Sequence, residues 1–213
     1  MELTAPATAT APALLLRPWR PSDAPALAGL GEDEAMRRWT STGVADLADA
    51  RHWVREQMRG WRDGDRRAFA VLEGADGPDG PRLAGHVVLK GGGPGTTTAE
   101  VGYWTAAHAR GRGVAPRALE AVSVWAFTAP AGSGVSGAFP GGGPSRLRLV
   151  HQVDNTASCR VAHKCGYGLT AVLPPVPPGL PLEGHLHERP GPGLVVSPGR
   201  AASASPRSRR SGR

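Results

Sequence analysis

Glu100-Val101-Gly102-Tyr103-Trp104-Thr105, followed by the turn Arg110-Gly111-Arg112-Gly113-Val114-Ala115 and the apolar run that continues to Phe127, decides how this chain folds. The first piece has strand composition, and the last, with Leu119, Val122 and Phe127 among its apolar positions, predicts a long helix from Val114 to Phe127. A loop that leaves a strand and opens a helix gathers unpaired backbone N–H groups at the positive end of the helix dipole, where they can hold an anion. Gly111 and Gly113 let the backbone approach closely and Ala115 does not block it. Arg110 and Arg112 add charge suited to phosphates. A solvated arginine-glycine turn has the same residues, so the surrounding sequence has to separate the two readings.

On the N-terminal side, Ala13 to Trp19 reads as a first strand, and Pro21-Ser22-Asp23 starts a helix carrying Ala24, Leu27, Ala28 and Leu30 on one face. A second helix is expected from Leu47 to Trp61, stopped by Asp63-Gly64-Asp65. Ala68–Leu72 and Leu83–Leu89 read as adjacent antiparallel strands around the turn signal Asp76-Gly77-Pro78-Asp79-Gly80. Beyond the long helix come a strand from Arg146 to Val150, a helix from Thr156 to Cys165 and strands near Gly168–Leu173 and Gly184–Glu188. Gly166 stands where a left-handed C-cap belongs. Residues 12–189 are read as one domain with a flexible insertion at 130–144. The segments 1–11 and 190–213, rich in Ala, Thr, Pro, Ser and Arg, are expected to be disordered.

The net charge of +7 falls to about +2 without Arg200, Arg207, Arg209, Arg210 and Arg213 of the tail, so the core gives no nucleic-acid signal. Cys159 and Cys165 lie six apart on one expected helix, on different faces, and are read as free thiols in a reduced, cytoplasmic setting. No apolar run approaches the roughly 20 residues that span a bilayer. The N-terminus shows neither signal-peptide nor anchor patterning.

The arginine-glycine loop resembles the Arg/Gln-x-x-Gly-x-Gly/Ala motif of the GNAT acetyltransferase superfamily. Glu100 to Trp104 is similar to the preceding strand in its RimJ/RimL-like branch, and Asn155 to Tyr167 resembles that branch's Asn-x-x-Ser helix ending in Lys-x-Gly-Phe/Tyr. Leu16-Arg17-Pro18-Trp19-Arg20-Pro21-Ser22-Asp23 looks like the family's opening. These matches stand in the family's order over roughly Leu14 to Leu173. The resemblance implies an α/β fold with a mixed, mostly antiparallel sheet, splayed at its centre and flanked by helices. It also implies direct transfer of an acetyl group from acetyl-CoA to a primary amine, either a protein N-terminus or a small molecule, with no metal.

By the same resemblance, pantetheine pairs with backbone near Trp104 and Thr105, and the pyrophosphate sits on Arg110, Gly111, Arg112, Gly113, Val114 and Ala115. Glu100 takes the amine proton or, alternatively, only orders the loop. Asn155 serves the cofactor and the helix N-cap together. Ser158, on the same helix face as Asn155, protonates the leaving thiolate or is a plain surface serine. Three departures from the family pattern stand out: Ala162 where a tyrosine acid is common, Pro116 where a hydroxyl residue is common, and the 130–144 insertion. The acceptor cleft is expected between 31–44 and 174–184, with Glu32, Asp33 and Glu34 as a solvated acidic turn or a cation lure. His185 and His187 share a strand face and read as a partly exposed strand edge, not a metal site. The expected partners are the amine and, at most, a second copy of the chain. The alternatives from other classes are a catalytically idle acyl-CoA-binding module and a nucleic-acid binder acting through the basic tail.

Overall fold

Strands β3 (Arg66–Glu73) and β4 (Arg82–Gly91) carry the apolar runs Ala68–Leu72 and, apart from His86, Leu83–Leu89, and in the computed structural model both of their faces are covered. It describes residues 1–40, 42–74, 80–91, 97–129, 143–177 and 181–192. The turn residues Asp76 to Asp79, most of the 130–144 segment and the tail beyond Pro192 lie outside them.

Before β3 come β1 (Leu3–Ala5), β2 (Leu14–Pro18), α1 (Ala24–Ala28), α2 (Glu34–Trp39) and α3 (Leu47–Asp63). After β4 come β5 (Thr98–Thr105), α4 (Val114–Thr128), β6 (Arg146–Gln152), α5 (Thr156–Lys164), β7 (Gly168–Leu173) and β8 (Gly184–Pro190). The described strands form one sheet in the order β1-β2-β3-β4-β5-β6-β8-β7, antiparallel except where β5 meets β6. This is the expected mixed, mostly antiparallel sheet flanked by helices.

Two apolar layers hold it. Phe69, Val71, Val87, Leu89 and Val101 meet Leu119 and Val122 of α4 on one face. Ala68, Ala70, Leu72, Val88 and Trp104 meet Leu27, Ala50 and Val54 on the other. Helix α3 turns its Ala50-Val54-Gln57-Gly60 stripe inward, is N-capped by Asp46, and stops at Gly64 with φ +82°. At the opening of the fold, Arg17 donates to both Asp23 carboxylate oxygens, at 2.8 and 2.7 Å, with both side chains buried. Asp23 also accepts from the Arg20 N–H, so the family-like opening is one hydrogen-bonded unit.

Two expectations are corrected, at the N-terminus and at the last strand. Within 1–11, expected to be disordered, Leu3–Ala5 pairs with Leu14–Leu16, and Ala5 and Ala11 are buried. Arg117 of α4 fixes this segment by donating to the carbonyls of Pro6 and Pro12, at 2.6 and 2.8 Å. An edge strand needs only backbone pairing, and one of three residues is too short to show a period in the sequence. Within 31–44 the chain forms helix α2, N-capped by Asp33. The last strand is not an edge either: β8 lies between β6 and β7, and His187 is fully buried. Among the described residues no helix is long and apolar enough to cross a membrane.

Candidate functional site

The parallel pairing of β5 with β6 runs only from Thr98 to Val101 against Arg146 to Leu149. Beyond Val101 the two strands part, leaving one side of Gly102–Thr105 unpaired by β6, as the splayed sheet of the resemblance requires. The gap opens into a cleft of about 1240 Å³ that reaches the arginine-glycine loop, α2, α3 and the start of α5.

At the loop, Gly111 and Gly113 have φ of +76° and +73°, a left-handed conformation that other residues rarely adopt. Gly113 is the N-cap of α4 and gives the helix no side-chain cap. Among the described residues, the N–H groups of Gly111 to Ala115 make no backbone hydrogen bond outside the helix, and the first helical residues have no intrahelical acceptor. A Cβ built on Gly111 meets nothing within 4 Å. Pro116, in the first turn, supplies no N–H.

The two loop arginines have different settings. Arg110 lines the cleft while holding Asp33 of the α2 cap and donating to the Thr105 carbonyl at 3.1 Å. Asp33 is therefore neither a solvated acid nor a cation lure; its side chain is 8% exposed and joins α2 to the loop. Arg112 turns from the cleft to pair with Glu73 at the end of β3. Its expected phosphate contact is corrected to a brace for the loop, because the largely buried Glu73 carboxylate requires a cation.

The remaining expected residues line the cleft from both faces of the sheet. Glu100 and Trp104 project to the α3 side, and Tyr103 to the α4 side, following strand alternation. Glu100 is half exposed and 3.3 Å from Lys90 on the neighbouring strand, a weak pair at that exposure. Asn155 caps α5 by accepting from the Ser158 N–H at 3.1 Å, which leaves its side-chain NH2 group free to donate elsewhere. Thr105 lies at the cleft, with its carbonyl already accepting from Arg110. Ala162 is fully buried in α5, and Tyr167 is a core residue bonded to Ser123 at 2.7 Å, so neither provides an acid.

Two features escaped the reading of the sequence. Tyr103 faces the cleft beside Ser158, and burial pushes its phenol up to about 12, while the Ser158 hydroxyl acts in the opposite direction. Its hydroxyl has no partner of full hydrogen-bond geometry. His86, opposite Trp104 on β4, packs among Trp19, Trp53 and Trp104, and burial holds it down at about 3. Its Nδ1 stands 3.1 Å from the Trp19 indole nitrogen and 3.2 Å from the Phe69 carbonyl. A histidine inside the apolar run Leu83–Leu89 was the only sequence sign of it.

The residues present fit a coenzyme carrying a pyrophosphate: uncapped N–H groups face open space, and the indole N–H of Trp104 is buried without a partner. Residues 13–168 match the acetyltransferase (GNAT) domain. Among solved structures, the RimL ribosomal L7/L12 alpha-N-protein acetyltransferase in complex with coenzyme A is 20% identical, with a TM-score of 0.70 over 88% of this chain and 98% of that one. Mycobacterium smegmatis RimJ in complex with CoA-disulfide is 20% identical, with a TM-score of 0.67 over 89% and 86%. The microcin C7 self-immunity acetyltransferase MccE, in complex with acetyl-CoA and AMP, is 18% identical, with a TM-score of 0.66 over 83% and 92%. No curated protein sequence matches. With the domain match spanning most of its length, the chain belongs to the GNAT acetyltransferase family.

Proposed function

We propose that the protein is an N-acetyltransferase that moves an acetyl group from acetyl-CoA directly to a primary amine, on a protein N-terminus or a small molecule. The observation that carries this reading is the splay of β5 from β6, which joins the uncapped loop to a cleft lined on both faces by proton-transfer groups. Acetyl-CoA supplies a thioester carbonyl as the electrophile. The N–H groups of Gly111, Arg112, Gly113, Val114 and Ala115 hold its pyrophosphate at the positive end of α4, with Arg110 adding charge. Trp104, Thr105 and the free NH2 group of Asn155 orient the pantetheine arm.

Glu100, on the α3 side, takes the proton that the attacking amine must lose. Ser158, with Tyr103 behind it, gives a proton to the departing thiolate from the α4 side. The two proton transfers thus fall on opposite faces of the sheet, joined through the splay. The RimL-like fold makes a protein N-terminus the first acceptor to test.

A second reading, an idle acyl-CoA-binding module, draws on the Lys90–Glu100 pair and the absence of a tyrosine at Ala162. Thiol release across a panel of amines and N-terminal peptides, run beside calorimetric binding of acetyl-CoA, tests both. Turnover with at least one amine supports the transferase; binding without release for any of them supports the idle module.

A further inference from the structure

A second cluster of reactive side chains lies between α5 and strands β6 and β8. His151 on β6, Cys159 on α5, and His185 and His187 on β8 each present one ligating atom, and the four atoms lie within 4.8 Å of one another. His151 Nε2 stands 3.2 Å from His187 Nε2. Cys159 Sγ stands 3.2 Å from His185 Nδ1 and 3.8 Å from His187 Nε2. A four-coordinate zinc ion with bonds of about 2.0–2.3 Å sets its ligand atoms roughly 3.3–3.7 Å apart, so three of these separations are already near the required values.

The hydrogen bonds around the cluster strengthen the case. His151 Nδ1 is 2.8 Å from the Gln152 carbonyl, and His187 Nδ1 is 3.4 Å from the Tyr167 carbonyl. A carbonyl only accepts, so both rings carry their proton on Nδ1 and turn an Nε2 lone pair inward. Those two lone pairs then face each other at 3.2 Å with no proton between them. The one thiol proton of Cys159 cannot satisfy both. A cation placed between them resolves the contact, and a ring N–H donated to a carbonyl is the outer-shell arrangement that orients metal-bound histidines.

We propose that His151, Cys159, His185 and His187 form a zinc site that clamps α5 to the sheet. On binding, the Cys159 S–H bond breaks and its proton leaves to solvent, while the thiolate and three neutral imidazoles bond to Zn2+. The set of three nitrogens and one sulfur suits zinc. His151 also lines the cleft, which gives an ion a route in. One ligand comes from the helix that carries Asn155 and Ser158, and the other three come from two neighbouring strands. The metal would therefore fix the height of α5 above the sheet. This revises the expectation that His185 and His187 hold no metal, and it stands whether or not the cleft performs acetyl transfer.

The test uses tag-free, full-length protein stripped with a chelator, then titrated with Zn2+ or Co2+. Zn2+ is expected to bind at about one ion per chain and to raise Tm by roughly 5–10 °C at a free concentration about a hundredfold above Kd. Co2+ is expected to give a thiolate-to-cobalt charge-transfer band and the intense visible bands of a tetrahedral centre. Cys159→Ser, a conservative change at a partly buried position, should abolish the charge-transfer band, while Cys165→Ser should keep it. His187→Ala should lose binding, and His185→Gln should weaken it where the His187 variant does not fold. An unchanged Tm with no thiolate–cobalt band in the wild type overturns the proposal, as does a band that survives Cys159→Ser.

Discussion

Replacing Gly113 by Ala and by Glu separates the two properties assigned to the loop. At φ +73° any L side chain is strained, and a Cβ there meets only Arg117 Cδ at 3.8 Å, an ordinary contact. Both variants should therefore lose about the same stability, roughly 1–2 kcal/mol for a left-handed non-glycine residue. For a domain of this size that is a fall in Tm of roughly 2–8 °C, which leaves the protein folded at 25 °C. The glutamate adds one negative charge at the mouth of the anion site. Against one phosphate charge at about 5 Å, in an effective dielectric of about 20, the repulsion is about 3 kcal/mol, or more than about a hundredfold in Kd. Calorimetry with acetyl-CoA should show Gly113→Ala binding within about tenfold of wild type and Gly113→Glu weaker than Gly113→Ala by about that hundredfold. The difference should shrink as salt rises, since the site opens to solvent. Equal affinities for the two folded variants would refute the placement of the pyrophosphate on this loop.

Asp23→Ala strands the buried Arg17 guanidinium and should cost about 3–5 kcal/mol in denaturant unfolding; a loss below about 1 kcal/mol would show the pair to be solvated. Glu100→Gln should lower kcat by roughly 10²- to 10⁴-fold with little change in coenzyme affinity, and the deficit should narrow at high pH as more of the amine is already neutral. Superimposable pH profiles of kcat/KM would remove Glu100 from the mechanism. His86, held at about 3 against an ordinary 6.5, takes up its proton more readily in the unfolded chain. Its contribution to stability is complete above about pH 6.5 and is lost as pH falls toward 3. His86→Gln, which offers an acceptor to Trp19, should flatten Tm against pH over that window, and a slope equal to wild type would show that another group governs acid unfolding.

The elements legible in the sequence are those whose signal is local. The apolar period from Leu47 to Trp61 marks α3, the apolar runs mark β3 and β4, and the two loop glycines mark the start of α4, because period and backbone conformation are written within a few residues. What stayed hidden depends on partners far along the chain. Strand β1 is held by Arg117, more than a hundred residues away, and at three residues is too short to show a period of its own. Arg112 looked like a phosphate ligand because nothing near it in sequence discloses Glu73 waiting across the fold. The same limit applied to His185 and His187: two histidines on one strand are an ordinary pattern until β6 brings His151 to one side and α5 brings Cys159 from above. Whether a pair of polar residues is a solvated edge or a ligand set is decided by strand order, and here the order β6-β8-β7 places β8 inside the sheet, with a neighbouring strand on either side.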